Sequence, residues 1–432
     1  MTIQRSEVGG QRAEGGNQKA GVRNQKTGVR SYKSEVKFWR DTLVAVLTGL
    51  DVIRKQNFTP IKGRAIGLVI NPASLDSRLF STVDIFLNAH GVKVDVLFGP
   101  QHGIRGETQD NMIEWEGFQD KKTGLPVYSL YGKTREPLGE MMEEIDCLVV
   151  DLPDVGARYY TFVWTLALCL RACKKFGKAC VVLDRPNPIN GVAVEGPVLE
   201  PRFSSFVGLY PLPLRHGMTL GEIASYLNRE FKIECDLTVV PLEGWRREMW
   251  FDETSLPWVM PSPNMPTLDT AIVYPGMCLL EGTNISEGRG TTRPFEIFGK
   301  PGVDPDEVVK RLTGEDLPGV RFRPLYFQPT FQKYQGEICG GAQIHVTDRH
   351  RFLPVLTGVA VIRTMYHVCP ESFFWKQPPY EYEEKKLPID ILAGTDALRS
   401  QIERGCSLPE IARSWKEKLE LFQEVRKKYL LY

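Results

Sequence analysis

The chain has 432 residues, of which 42% are hydrophobic and 25% are charged, a balance typical of a globular protein with two domains. Its 54 Lys and Arg residues stand against 53 Asp and Glu residues, which leaves a net charge of +1. This near-neutral charge argues against a nucleic-acid partner. The apolar runs are shorter than the roughly 20 residues that cross a bilayer, so we expect no membrane partner either.

Residues 1–34 have a composition unlike that of the rest of the chain. They hold seven Lys and Arg, two Glu and six Gly, and they lack the apolar core of a secretory signal. A segment with so few apolar side chains buries too little surface to offset the entropy of ordering. We expect a disordered tail here and a cytoplasmic protein.

Apolar periodicity beyond this tail predicts the elements of an α/β protein. Helices are predicted over 37–55, 83–90 and 160–173. Continuous apolar runs predict buried strands at 66–70, 94–98, 145–150 and 179–183. Because buried strands that alternate with helices form parallel sheets, we expect such a sheet with helices on both faces. Its ligand site should lie beyond the carboxyl ends of the strands.

The pattern changes after about residue 235. A short strand is predicted at 271–274 among Pro- and Gly-rich loops. Beyond residue 300 the sequence predicts helices at 303–312 and 355–366, strands at 321–327 and 342–346, and one or two helices within 402–429. We therefore predict a sheet domain over 35–300 and a smaller α+β domain over 301–432.

Several common motifs are absent from the sequence. It holds no G-x-G-x-x-G after a strand, no G-x-x-x-x-G-K-[ST], no H-E-x-x-H and no G-x-S-x-G. Its six His residues lack the spacing of metal ligands, and its nine Cys residues are scattered through the chain, several within apolar runs, as reduced core thiols are. We expect no metal and no cofactor.

The loop after the second predicted strand carries a dense set of polar residues. Gln101, His102, Arg105 and Glu107 lie there among glycines, which let a backbone approach a ligand closely. The same composition also fits a tight surface turn.

The segment after the third predicted strand offers carboxylates. Asp151 and Asp154, followed by Arg158, could form an acid–base pair with a positive neighbour. They fit equally well a helix N-cap with its salt-bridge partner. The hydroxyls of Tyr159 and Tyr160 favour a sugar-like or planar substrate.

Two further segments carry amides and a histidine. The Asn187 and Asn190 amides suit hydroxyl and acetamido groups, although a connecting Asx-turn would also use them. Thr219 and Glu222 have the spacing of a capping box that opens a helix, and His216 precedes it.

The segments 261–266 and 281–295 contain the highest density of polar side chains. They supply Asn264, Glu281, Asn284, Arg289 and Thr291. Loops of this composition do not form a core, and their rigid flanking prolines indicate that they are held against a ligand.

Five of these segments, in the same order, resemble motifs of the bacterial DUF1343 family, which includes exo-β-N-acetylmuramidases. The motifs are PQHGIRG at 100–106, DVGARYYT at 154–161, LDRPNPING at 183–191, RHGMT at 215–219 and EGTNISEGRGTTRP at 281–294. The resemblance implies a Rossmann-like domain, a smaller C-terminal domain and a cleft between them. It also implies a glycosidase that cleaves terminal N-acetylmuramic acid from peptidoglycan fragments, with no metal or nucleotide.

The sequence departs from the family at one position of the first motif. That motif usually reads Pro-Glu-His-Gly, whereas Gln101, which cannot transfer a proton, stands here. Either another acid acts, with Glu107 and Asp154 as candidates, or the protein catalyses different chemistry, or it is a non-hydrolytic sugar binder.

The resemblance and the loop composition together define the candidate site. Its catalytic members are Gln101, His102, Glu107, Asp154 and Tyr160, and its substrate-binding members are Arg105, Arg158, Asn187, Asn190, His216, Asn264, Glu281, Asn284, Arg289 and Thr291. One of the three arginines should bind the lactyl carboxylate of the sugar, because a guanidinium can contact both carboxylate oxygens.

The composition of residues 1–34 generates a first prediction. A chain that begins at Ser34 should fold and keep its melting temperature, because the removed segment has little to pack on the rest. Thermal unfolding of the two proteins measures this. A fall of more than a few degrees would show that the tail contributes to folding.

Overall fold

The computed structural model describes residues 46–106, 108–109 and 112–432. The tail over 1–34, residues 37–45 of the first predicted helix and Glu107 lie outside the described residues, and the predictions made for them stay predictions. Within the described ranges, no helix is long and apolar enough to cross a membrane.

A seven-stranded sheet dominates the first part of the chain. In chain order its strands are β1 (Ala65–Ile70), β2 (Lys93–Gly99), β3 (Phe118–Gln119), β4 (Pro126–Ser129), β5 (Cys147–Asp151), β6 (Ala179–Leu183) and β9 (Asp236–Val240). Between β6 and β9 in the chain, β7 (Glu195–Val198) and β8 (Pro213–Arg215) form a separate two-stranded ribbon. Across the sheet the order is β3-β4-β2-β1-β5-β6-β9, parallel except for β3. The parallel sheet and its four predicted strands are confirmed, while β4 and β9 were not predicted.

Helices cover both faces of this sheet. They are α1 (Gly49–Lys55), α2 (Thr82–Leu87), α3 (Gly139–Met142), α4 (Phe162–Phe176), α5 (Leu220–Glu230) and α6 (Leu268–Met277). The predicted capping box of Thr219 and Glu222 opens α5 and is confirmed. The helix predicted from residue 37 begins only at Gly49 within the described part, because Thr48 and Asp51 form a capping box there.

The strand predicted at 271–274 is wrong, because this run lies inside α6. The Thr267 hydroxyl caps the helix by accepting a hydrogen bond from the backbone N–H of Thr270 at 3.3 Å. Four consecutive apolar residues fit a buried helix as well as a strand, so their periodicity could not separate the two.

The C-terminal part is built on a smaller antiparallel sheet with helices. Its elements are β10 (Ile297–Lys300), α7 (Pro305–Thr313), β11 (Val320–Phe327), β12 (Cys339–Val346), α8 (Pro354–Val368), α9 (Pro388–Ala393), α10 (Ala397–Glu403), α11 (Leu408–Ser414) and α12 (Lys416–Arg426). The sheet order is β10-β12-β11. The helices and strands predicted between 303 and 366 are confirmed, and the predicted division at residue 300 stays a prediction.

Helices α6 and α8 pack with their backbones in direct contact. A Cβ atom added at Gly276 would collide with the carbonyl oxygen of Pro354, and one added at Gly358 would collide with that of Gly276. Glycine is therefore required at both positions by the close approach of the two helices. The contact fixes the end of α6 and the short 3₁₀ helix Cys278–Gly282 that follows it.

A buried arginine ties distant segments together. Arg158 is fully buried, and its guanidinium donates to the backbone carbonyls of Pro197, Leu212 and Leu392 at 3.0, 2.8 and 2.7 Å. Burial lowers the pKa of this arginine to about 9. Because Leu392 belongs to α9, the side chain links the ribbon of β7 and β8 to the C-terminal part.

These three hydrogen bonds of Arg158, which we call the Arg158 clamp, generate a second prediction. Arg158→Ala should lower the free energy of unfolding by about 3 kcal/mol or more, since each buried carbonyl left without a donor costs about 1–3 kcal/mol. Urea denaturation measures the loss. The matched control is Arg105→Ala, because the Arg105 side chain is 51% exposed and its removal should change stability by about 0.5 kcal/mol or less. Equally small losses of unfolding free energy in both variants would contradict a stabilising role for the Arg158 clamp.

Candidate active site

A cavity of about 490 Å³ lies beyond the carboxyl end of β2, between the sheet and C-terminal segments. Its polar lining includes Gln101, Tyr160, Asn264, Glu281, Arg289 and Glu381. We call it the carboxylate cavity, after Glu281 and Glu381. Its position agrees with the rule that ligands bind at the carboxyl ends of parallel strands.

Glu281 is a buried carboxylate held by a cation and a hydroxyl. Arg289 Nη2 lies 2.6 Å from Glu281 Oε1, and the Tyr380 hydroxyl donates to Oε2 at 2.8 Å. Arg289 Nε in turn lies 3.3 Å from a carboxylate oxygen of Glu287. Burial alone would raise the pKa of Glu281, but Arg289 and Tyr380 hold it below its ordinary value. Glu281 is therefore an anion at neutral pH.

Glu381 is a second buried carboxyl group with the opposite preference. Its residue is 5% exposed, and the Tyr131 hydroxyl donates to its Oε2 at 3.0 Å. Burial raises the pKa of Glu381 to about 7, and the nearby negative charge of Glu281 acts in the same direction. At neutral pH the cavity thus holds one ionised carboxyl group and one that still carries its proton in about half of the molecules, an arrangement typical of acid–base pairs.

Four other predicted site residues border the carboxylate cavity. The Gln101 Oε1 atom accepts a hydrogen bond from the Thr161 hydroxyl at 2.8 Å. His102 Nδ1 lies 2.9 Å from a backbone carbonyl oxygen six residues further along, and Asn264 donates to another backbone carbonyl at 2.8 Å. Burial raises the pKa of Tyr160, so its hydroxyl keeps its proton.

Asp154 and His216 form a buried pair beside a different cavity. Asp154 Oδ2 accepts from the Gly156 N–H at 2.8 Å and lies 3.1 Å from His216 Nε2. Because the Met218 N–H donates to His216 Nδ1 at 3.2 Å, the ring proton sits on Nε2, toward Asp154. Asp154 lines a cavity of about 560 Å³ rich in prolines and walled by Trp258.

Two of the three predicted arginines lie away from the carboxylate cavity. The Arg105 guanidinium stacks 4.5 Å from the centroid of the Phe118 ring and lies 3.4 Å from a carboxylate oxygen of Asp120. Arg158 is the buried clamp described above. Arg289 is therefore the arginine that the structure brings to the cavity.

Four more predicted residues hold backbone segments in place. The side-chain oxygens of Asn187 and Asn190 each accept a hydrogen bond from a backbone N–H two residues further along, at 3.1 and 3.0 Å. Asn284 binds the backbone of residues 372–374 at 2.8 and 3.1 Å. Thr291 donates to a carbonyl three residues before it at 2.6 Å and borders a separate open groove.

Four residues of the site, Tyr131, Tyr274, Tyr380 and Glu381, were not predicted from the sequence. Glu381 stands in a run of acidic and basic residues, 381–386, whose composition is typical of a solvated surface. The alternation of tyrosines with Glu381 was the available signal. Tyr274 was hidden by the wrong strand assignment.

The fold and the cavity define a Rossmann-like α/β protein whose site carries two buried carboxyl groups. Residues 66–269 match the N-terminal family model of exo-β-N-acetylmuramidase NamZ, and residues 272–432 match the C-terminal model of the same family. The chain belongs to the exo-β-N-acetylmuramidase NamZ family.

Individual relatives agree with this assignment. The chain is 48% identical over 387 residues to peptidoglycan β-N-acetylmuramidase NamZ of Bacillus subtilis (strain 168), covering 90% of this chain and 91% of that protein. Crystal structures of two DUF1343 family proteins from Bacteroides fragilis superpose with TM-scores of 0.82 and 0.70, at 33% and 31% identity. Each match covers 90% of this chain and 99% of the other.

The raised pKa of Glu381 generates a third prediction, about stability. A carboxyl group whose pKa is higher in the folded than in the unfolded protein loses stabilisation as pH rises through that interval, here from about 4.5 to about 7. The variant Glu381→Gln escapes this loss. Its unfolding free energy relative to wild type should therefore rise by on the order of 2 kcal/mol between pH 5 and pH 8.

Thermal unfolding of both proteins across this pH range measures the difference. Glu384→Gln, which removes an exposed carboxylate from the same loop, controls for the change in charge. A difference between Glu381→Gln and wild type that does not depend on pH would contradict the assignment of a protonated Glu381.

Proposed function

We propose that this protein is an exo-β-N-acetylmuramidase, a glycoside hydrolase that releases terminal N-acetylmuramic acid from peptidoglycan fragments. The observation that carries the proposal is the pair of buried carboxyl groups, Glu281 and Glu381, in one cavity with opposite protonation preferences. The family and the Bacillus subtilis relative support the same reaction and the same class of substrate.

The charge states match what glycoside hydrolysis requires. The transition state carries positive charge at the anomeric carbon and ring oxygen, and the leaving oxygen needs a proton. Glu281, kept anionic by Arg289, supplies a fixed negative charge that stabilises the positive charge on the sugar. Because Glu281 is buried, solvent screens this interaction little.

The rest of the lining suits one terminal amino sugar. Tyr160 and Tyr274 offer ring surfaces, and the amides of Gln101 and Asn264 can donate to and accept from hydroxyl and acetamido groups. Arg289 is the arginine we propose for the lactyl carboxylate.

The alternative of a non-hydrolytic sugar binder is not favoured. It rested on the absence of a carboxyl group at Gln101, whereas the cavity holds two carboxyl groups from other segments. The predicted cytoplasmic location stays a prediction, and it would make fragments taken up by the cell the substrate.

The proposed function generates a fourth prediction. The wild-type protein should release N-acetylmuramic acid from N-acetylmuramyl-β-1,4-N-acetylglucosamine, and Glu281→Gln should lower kcat/KM by about 10³-fold, because the amide carries no negative charge. Chromatography with mass detection measures the released sugar. Glu384→Gln, on the exposed surface, should keep wild-type activity.

Two further results would decide against hydrolysis. Wild-type protein that is thermally stabilised by free N-acetylmuramic acid but releases no sugar would be a binder. Full activity in Glu281→Gln would show that the Glu281 carboxylate is not needed for cleavage and would contradict the proposed use of the two carboxyl groups.

A further inference from the structure

The proton donor of the reaction is the role that the Gln101 side chain cannot fill. Gln101 and Glu381 line the same cavity, although they are 280 positions apart in the chain. We propose that Glu381 is the general acid that protonates the leaving oxygen of the glycoside, an assignment that rests on the proposed function.

The immediate surroundings of Glu381 suit a proton donor. Its Oε2 accepts from the Tyr131 hydroxyl at 3.0 Å, which leaves Oε1 to carry the proton. Burial and the charge of Glu281 favour the protonated form, while the Tyr131 hydroxyl, Arg135 and Arg289 oppose it. The balance places the pKa at about 7, close to the value at which a general acid works best near neutral pH.

The backbone holds the Glu381 side chain in a defined direction. Backbone hydrogen bonds run both ways between Tyr380 and Glu383, at 3.0 and 2.9 Å, and close a tight turn. Within this turn Glu381 and Tyr382 have φ of 44° and 67°, a region that residues other than glycine rarely adopt. Such conformations persist where the surrounding structure enforces them, often at functional sites.

Other carboxyl groups are less suited to the role. Glu281 is paired with Arg289 and stays ionised. Asp154 contacts a histidine and lines the proline-rich cavity. Glu381 combines burial, a neutral hydrogen-bond donor and a position in the carboxylate cavity.

The proton balance of the reaction is complete with these groups. Glu381 transfers its proton to the glycosidic oxygen as the bond from that oxygen to the anomeric carbon breaks, and the bonding electron pair stays on the oxygen. The Glu281 carboxylate stabilises the positive charge left on the sugar. A water oxygen then bonds to the anomeric carbon, and the proton that this water loses returns to Glu381.

The test compares two substrates that differ in their need for an acid. The aryl substrate 4-nitrophenyl β-N-acetylmuramide has a leaving group that departs with little protonation, whereas N-acetylmuramyl-β-1,4-N-acetylglucosamine requires a proton. Glu381→Gln should lower kcat/KM for the disaccharide by about 10²–10⁴-fold, and that for the aryl substrate by about tenfold or less. On the aryl substrate, the wild-type kcat/KM should decline above about pH 7 as Glu381 loses its proton, and this decline should be absent in Glu381→Gln.

The choice of variant and two controls make the outcome specific. Glu381→Gln retains an oxygen that can accept from Tyr131, so the turn should fold. Glu384→Gln changes an exposed carboxylate on the same loop and should behave as wild type on both substrates. Gln101→Glu should not increase disaccharide cleavage, because the acid is already present.

Several results would overturn the assignment. These are wild-type disaccharide cleavage in Glu381→Gln, equal losses on both substrates, an unchanged pH profile, and a rise of tenfold or more in Gln101→Glu. Failure of the wild-type protein to cleave either substrate would instead refute the proposed function, and the role of Glu381 with it.

Discussion

The ion pair of Glu281 and Arg289 determines the electrostatics of the candidate site. Both groups are buried, so each is stabilised in its charged form by the other, with the Tyr380 hydroxyl helping Glu281 and the Glu287 carboxylate helping Arg289. The anion fixed in this way adds to the effect of burial on Glu381, whose pKa rises. One buried contact thus contributes to setting two different protonation states within a single cavity.

The central fold could be predicted because its strands have an unambiguous pattern. β1, β2, β5 and β6 are continuous apolar runs that end in polar loops, and buried parallel strands have that composition. β9 was not predicted because it lies at the edge of the sheet, where exposed and half-buried side chains alternate along most of the strand. For α6, only tertiary packing and the cap at Thr267 decide between helix and strand.

The polar motifs located the site more accurately than they identified its chemistry. Gln101, Tyr160 and Arg289 lie around the cavity, whereas Asn187 and Arg158 serve the backbone. In the sequence, residues of both kinds stand in loops of the same polar composition. This is because a loop that shapes a cavity also needs hydrogen-bonding side chains for its own turns. Which side chains turn outward to the ligand depends on contacts that local patterns do not contain.

The position of the tight turn at Tyr380–Glu383 has a consequence for the chain as a whole. Tyr380 braces one carboxyl group of the cavity and Glu381 is the other, yet this turn follows Glu281 by about a hundred residues. Residues before Tyr380 form most of the cavity wall. Glu381, its second carboxyl group, enters the cavity only when the last part of the polypeptide has folded against that wall. The proposed cleavage therefore depends on correct folding of the C-terminal part, so an activity assay would also report on that folding.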